Sequence, residues 1–382
     1  MSTANPRILQ AIAEMGPDTG GPAQTVSSLC RGLSSKGIFN KIFTSTKNNS
    51  SSFLAKNQIN ELFPFLKSLY QKELQCFCTN KNINIIHSNG IWLPTNHNTV
   101  KVARQLDIPL IVSPHGMLSP WALKYKYLKK RLIWSMYQQK DLLATNVFCA
   151  TSYEETKCIR DLGYKQPIAI IPNGVDIPHK VKNLLKISPP SKKNILFLSR
   201  IHPVKGLLTL VEAWGVLQPE EWQVTIVGPD VCGHREEVEM AIKQKNLGDS
   251  FNFVGPVYDN IKKAELFAKA DLFVLPTFTE NFGVAIAEAL ANKVPVITTK
   301  AAPWEDLESY KCGWWIDVGV KPLIGALEVA MSISNEEQQA MGQRGKALVM
   351  KKYSWETIAR EMILVYDWVL NSGTPPECVI TD

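Results

Sequence analysis

The chain has 382 residues, 45% of them hydrophobic and 20% charged, with a formal net charge of +7. That length exceeds what one hydrophobic core organises, so two domains are expected, and the balance excludes a disordered or membrane-spanning chain. No apolar run is long enough to span a bilayer, and Met1 to Arg7 leads directly into an apolar strand without the order of a leader peptide, so a cytoplasmic location is expected. The eight cysteines are scattered, only Cys76 and Cys78 lying close together, so neither zinc-ligand spacing nor a disulfide framework is visible.

In the first half, short apolar runs alternate with helical stretches, as a doubly wound parallel sheet requires. Strands are predicted at Arg7–Ala13, Ile38–Thr44, Ile83–His87, Leu110–Ser113, Val147–Ala150 and Ile168–Ile171. Between the first two, Glu14 to Pro22 forms a glycine-rich turn, including Gly20 and Gly21, before a helix to about Ser35; its N–H groups can meet a phosphate or an acceptor. The polar stretch Lys47 to Ser52 is expected to be a mobile loop. His87 and His115 each end or follow a predicted strand; the second, in Ser113-Pro-His-Gly-Met117, suits a hydrogen bond to a sugar in a cleft, while either can equally bond a neighbouring carbonyl as a structural residue.

From Lys124 to Lys140 the chain carries six cations, Lys124, Lys126, Lys129, Lys130, Arg131 and Lys140, and no acidic residue, interleaved with Tyr125, Tyr127, Leu128, Leu132, Ile133, Trp134 and Tyr137. Such a helix lies on an anionic bilayer surface or packs its apolar stripe on its own domain; no nucleic-acid motif accompanies it, so nucleic acid is not an expected partner. Around Pro172-Asn-Gly-Val-Asp176 the chain leaves the first domain, with a linker over Pro178 to Lys193 and a boundary near 180.

A second alternation predicts strands at Ile195–Ser199, Val224–Val227, Phe251–Val254, Leu272–Leu275, Val294–Thr298 and Gly313–Asp317, then a helix from about Ser354 to Leu370. After the first of these strands comes Arg200-Ile-His-Pro-Val-Lys-Gly206 and then an amphipathic helix, Leu207 to Leu217. Arg200 offers a planar fork and Lys205 a mobile point charge, which together neutralise a diphosphate leaving group; Gly206 permits close backbone approach. After the fourth strand, Glu280-Asn-Phe-Gly283 leads into a helix whose N–H groups can hold an anion, with Glu288 on its second turn. One carboxylate then reaches a sugar and the other a ribose, and neither need act as a base. Trp304, in the loop after the fifth strand, either shapes the sugar pocket or is buried in the core. No Asp-x-Asp pair occurs, so metal-free chemistry with no cofactor is expected.

These motifs carry a resemblance. From about Arg7 to Asn371 the chain resembles a retaining glycosyltransferase of family 4 (glycosyl transferases group 1), through Ser199 to Gly206, Pro276 to Gly283 with Glu288, Ile171 to Asp176, and Gly20-Gly-Pro22. The resemblance implies the α/β GT-B fold: two Rossmann-like doubly wound parallel-sheet domains facing a central cleft. Residues 1–180 would form the acceptor domain and 181–354 the donor domain, with 355–382 a helix returning to the first domain and a tail. It implies that Arg200 and Lys205 bind the diphosphate of a UDP- or GDP-sugar and that Glu288 holds the ribose. Glu280, with the Asn281, Phe282 and Gly283 backbone, would hold the transferred sugar and His115 would contact it. Gly21 would line the donor site, and Val257 or Tyr258 would meet the base. It also implies retention of anomeric configuration, the departing phosphate oxygen taking the acceptor proton on the same face. The basic segment favours a lipid-linked glycan acceptor at the inner face of a bacterial-type membrane, as in cell-surface polysaccharide (lipopolysaccharide-type) assembly. Two rivals stay open: an epimerase or hydrolase of nucleotide sugars, with Glu280 and His115 as acid and base, and a non-catalytic nucleotide-sugar-binding protein.

Overall fold

The computed structural model describes residues 4–15, 21–45, 64–178 and 192–381. The chain forms two compact units: residues 1–174 together with 355–382, and residues 175–354.

The first unit is built on parallel strands β1 (Arg7–Ile12), β2 (Phe39–Phe43), β3 (Ile85–Asn89), β4 (Leu110–Ser113), β5 (Val147–Ala150) and β6 (Ile168–Ile170). They lie in the order β6, β5, β4, β3, β1, β2, and a short antiparallel strand, Val379–Ile380, pairs with the outer edge of β6. Strand residues alternate between two cores, as helices on both faces of a sheet demand. Leu9, Ile86, Val112 and Phe148 pack on one side, and Ile8, Ile85, Ile111 and Val147 on the other. The second core is completed by the helix Trp355–Asn371, which buries Ile358, Ala359, Met362, Val365 and Tyr366, the spacing of one helical face. This helix lies close against the helix Gly21–Ser35: a Cβ on Gly32 would sit 3.1 Å from the Ala359 Cβ. The inner strands depart from the apolar pattern, since Gln10 of β1 and His87, Ser88 and Asn89 of β3 are buried polar residues.

The second unit holds β7 (Lys193–Leu198), β8 (Trp222–Val227), β9 (Phe251–Gly255), β10 (Leu272–Leu275), β11 (Val296–Thr299) and β12 (Gly313–Ile316), in the order β12, β11, β10, β7, β8, β9. All pairs are parallel. The chain winds outward one way from β7 and the other way from β10, so the switch of direction falls between these two strands. In such sheets the carboxyl ends at the switch open a ligand crevice. The loops that leave there are 199–206 and 276–283, the two that carry the charged motifs.

The first crossing between units comes a few residues earlier than the expected boundary near 180. Val175 donates its N–H to the Tyr353 carbonyl at 2.8 Å and pairs with Ser354, so the incoming and outgoing chains bond side by side inside the second unit. Most of the expected linker, residues 179–191, lies outside the described residues, as do residues 16–20 of the glycine-rich turn and the Lys47 to Ser52 stretch.

Candidate functional site

In the second unit the loops after β7 and β10 are bonded to each other. The Phe278 N–H and the Thr277 hydroxyl both donate to the Val204 carbonyl, at 2.8 and 3.0 Å. Gly206 adopts φ +72°, and a Cβ there would lie 1.9 Å from the Pro276 carbonyl oxygen, so only glycine lets the two loops approach this closely. The approach brings the Lys205 ammonium to 2.5 Å from Glu280 Oε2, with both side chains largely buried. Glu280 Oε1 accepts the Asn281 N–H at 3.3 Å, so of the three backbone N–H groups expected to hold the sugar, that of Asn281 is already engaged. Arg200 is exposed and, among the described residues, makes no ion pair. His202 caps the short turn Pro203–Lys205, its Nδ1 accepting from the Val204 N–H at 3.2 Å; burial, with Arg200 beside it, pulls its pKa down.

Gly283, at φ +83°, begins the helix Val284–Ala291, the left-handed turn that this loop-to-helix junction requires. Glu288 is sunk in the helix face and pairs with Lys263, of the helix Asn260–Ala268, at 2.5 Å. Burial raises the Glu288 pKa while Lys263 opposes the rise. Lys263 was not singled out from sequence; its only signal is a helix between β9 and β10 whose position no local pattern reveals. Phe282 is 3% exposed and packs its ring at an angle against Trp304 and edge-on to Tyr353, and the Trp304 indole donates to the Phe282 carbonyl at 2.5 Å. Trp304 is therefore core, and Phe282 can offer a ligand only its backbone. Past β9, Val257 packs against the core whereas Tyr258 is exposed, so of the two base-contact candidates only Tyr258 presents a ring.

In the first unit His115 sits in the tight turn after β4 with φ +51°, followed by Gly116 at +77°. The turn is held by a carboxylate that sequence reading passed over: buried Glu155 accepts the Gly116 N–H at 2.5 Å through Oε1 and the Thr151 N–H at 2.8 Å through Oε2. His115 Nε2 lies 3.0 Å from Asn89 Oδ1, and burial pulls its pKa down to about 4. His87 is fully sheathed beneath it, with a pKa of about 3 from burial and the neighbouring His115. Both imidazoles are neutral at pH 7. Gly21, the first residue of its helix, is exposed with open space around it.

The basic segment is not one helix. It breaks at Lys126, φ +53°, between the helices Pro120–Lys124 and Tyr127–Ile133, and runs on through a π-helical turn, Trp134–Gln138, to Gln139–Leu143. Its apolar residues divide between two faces. Leu123, Ile133 and Trp134 pack on the core, whereas Tyr125, Tyr127, Leu128, Leu132 and Met136 face outward, Leu128 with 79% of its surface exposed. No helix among the described residues is long and apolar enough to cross a membrane. Among them, too, no group of three or more His, Cys, Asp or Glu side chains is placed to hold a metal.

Residues 185–348 match the model for Glycosyl transferases group 1, and residues 19–178 match that for Glycosyltransferase Family 4. The chain belongs to the family 4 glycosyltransferases. A phosphatidyl-myo-inositol mannosyltransferase of Mycobacterium leprae is 26% identical over 211 residues, 53% of this chain and 54% of that protein. An N-acetyl-alpha-D-glucosaminyl L-malate synthase of Bacillus anthracis is 27% identical over 47% of this chain and 46% of its own length. These matches thus span about half the length of the curated relatives. The sucrose-phosphate synthase of Thermosynechococcus elongatus has the same fold, with a TM-score of 0.76 at 20% identity over 97% of this chain and 100% of that one. Two parallel-sheet α/β domains with such neighbours make this family 4 chain a GT-B protein.

Proposed function

We propose that this family 4 protein is a metal-independent, retaining glycosyltransferase that moves a sugar from a nucleoside-diphosphate donor to a glycan or lipid-linked acceptor. The observation that carries the reading is the Lys205–Glu280 pair beside Arg200 at the switch point of the second sheet. Departure of a nucleoside diphosphate builds negative charge, and fixed cations that need no reorganisation stabilise that charge best. Arg200 and Lys205 take the diphosphate together with the first N–H groups of the helix after Gly283. Glu280, gripped by Lys205 and by the Asn281 N–H, is an acceptor for sugar hydroxyls. Glu288, held by Lys263, takes the ribose hydroxyls, and Tyr258 lies on the base side. A phosphate oxygen of the leaving group accepts the acceptor's proton on the face it leaves, so no enzyme base is required.

His115 bears on the epimerase or hydrolase rival. A ring with a pKa near 4 carries no proton to give at neutral pH, which favours a hydrogen-bonding role over acid catalysis. The outward Tyr125, Tyr127, Leu128, Leu132 and Met136, set among unopposed cations, support work at an anionic membrane surface on the cytoplasmic side.

The test is transfer from radiolabelled UDP- and GDP-sugars, chosen by thermal-shift screening, to lipid-linked acceptors in the presence of a chelator. Transfer that survives the chelator and vanishes in Arg200→Ala/Lys205→Ala is expected; undiminished turnover by that variant removes the reading. Rapid donor breakdown without acceptor would favour the rival. Cosedimentation with vesicles containing anionic lipid tests the surface, where equal binding by a Lys129→Ala/Lys130→Ala/Arg131→Ala variant would remove it.

A further inference from the structure

Five hydrogen bonds join His115 to the returning helix and beyond. His115 Nε2 meets Asn89 Oδ1 at 3.0 Å, Asn89 Nδ2 meets Gln10 Oε1 at 2.9 Å, and Gln10 Nε2 meets the Tyr366 hydroxyl at 2.8 Å. That hydroxyl meets His87 Nδ1 at 2.8 Å, and His87 Nε2 meets Ser113 Oγ at 2.7 Å. Gln10, His87, Asn89, Ser113 and Tyr366 are all buried.

One backbone carbonyl fixes the direction of the whole chain. The Asn89 amide also lies 3.3 Å from the His87 carbonyl oxygen, which can only accept. The amide nitrogen must face it, so Asn89 Oδ1 faces His115, and the neutral ring must carry its proton on Nε2. Gln10 Oε1 accepts from Asn89, so Gln10 donates to the Tyr366 oxygen. The phenol must then place its own proton on His87 Nδ1, which leaves the His87 proton on Nε2, donated to Ser113. Every donor points the same way, and bonds so aligned strengthen one another. Burial raises the Tyr366 pKa and lowers those of both imidazoles, so no member changes charge near pH 7.

We infer that Asn89, its amide turned by the His87 carbonyl, is the positioning residue that sets the tautomer of His115, and that Gln10 and Tyr366, the latter on the helix that returns to the first unit, only continue the same order of bonds. His115 is left with its Nδ1 lone pair as the only acceptor it can offer, so the group it takes is a substrate hydroxyl rather than a phosphate or carboxylate oxygen. The substrate contact rests on the transferase reading above; the tautomer does not.

The experiment is a long-range proton–nitrogen NMR spectrum of histidine-labelled full-length protein at pH 7 without substrate, for the wild type, Asn89→Leu, Tyr366→Phe and Val365→Ala. The wild type is expected to show His115 and His87 neutral and protonated on Nε2. In Asn89→Leu the His115 signals should move to a mixture of tautomers, because the acceptor facing Nε2 is gone, whereas Tyr366→Phe should leave His115 protonated on Nε2, because the His87 carbonyl still turns Asn89. Val365→Ala loosens the same helix without touching the chain of bonds and should leave both tautomers unchanged. With the sugar nucleotide that supports transfer, Asn89→Leu should lower kcat about tenfold while KM for the donor stays within about twofold. A wild-type His115 protonated on Nδ1, or charged at pH 7, overturns the inference from the native protein alone. So does a His115 tautomer that survives Asn89→Leu or is lost in Tyr366→Phe. Failure of every donor to transfer, with the spectra as expected, would instead sink the transferase reading and leave the tautomer assignment standing.

Discussion

The two units arrange their polar side chains by opposite means. In the second unit the polar side chains are pinned by ions, Lys205 to Glu280 across the two loops at the sheet's switch point and Lys263 to Glu288 between two helices, each pair largely buried. In the first, the ring that sequence marks for substrate contact is pinned by neutral groups in a buried chain of hydrogen bonds. Ion pairs in low dielectric hold charge ready for a charged ligand, and a neutral chain fixes which nitrogen donates. The contrast fits a division of labour in which one unit handles a diphosphate and the other a hydroxyl.

The largest effect should come from the ionic side. Arg200→Ala/Lys205→Ala is expected to reduce sugar transfer by about a thousandfold, the scale for removing preorganised stabilisation of a leaving group, with the His115 NMR signals unmoved. Transfer kinetics and the spectra together check it; a disturbed His115 would show that the two regions are not independent. Next is Gly206→Ala, whose Cβ would meet the Pro276 carbonyl at 1.9 Å: a loss of about 3 kcal/mol in urea unfolding is expected, without change in the first unit's amide signals.

The neutral side should reveal itself through pH. His87 and His115 titrate near 6.5 when unfolded and at about 3 and about 4 when folded, so the unfolded chain binds more protons in between. Their contribution to stability is complete above pH 6.5 and is lost as pH falls towards 4, at about 1.4 kcal/mol per pH unit for each ring. Urea unfolding of the first unit between pH 7 and pH 5 measures it, and a flat profile would contradict the buried neutral pair. The smallest effect is expected for Lys263→Met. Without its counter-cation Glu288, whose pKa is already raised by burial, would take up a proton as pH falls, so UDP or GDP affinity should drop by about threefold at pH 7 and further at pH 6. Calorimetric titration checks it.

The strands were legible because parallel strands covered on both faces read as continuous apolar runs, and each predicted run in the two halves has its strand in the sheets. The charged motifs were legible because Arg200, Lys205, Glu280 and Glu288 lie close in sequence to strand ends and helix starts. Gln10, Asn89 and Tyr366 were not, since the residues that bond lie 79 and 356 positions apart and none belongs to a local pattern. Glu155 and Lys263 escaped for the same reason: Glu155 acts on the turn after a different strand, and Lys263 on a glutamate 25 positions away in another helix. The basic segment was read as one helix because composition does not register the left-handed turn at Lys126 that splits it.

The helix Trp355–Asn371 has a further consequence for how the chain is made. It supplies Ile358, Ala359, Met362, Val365 and Tyr366 to a core whose other buried members lie before residue 175. A ribosome therefore delivers the whole second unit before the first can close its apolar face or satisfy Gln10 and His87. Until those late residues emerge, the early strands wait with one flank bare, the form in which a nascent chain most needs a chaperone.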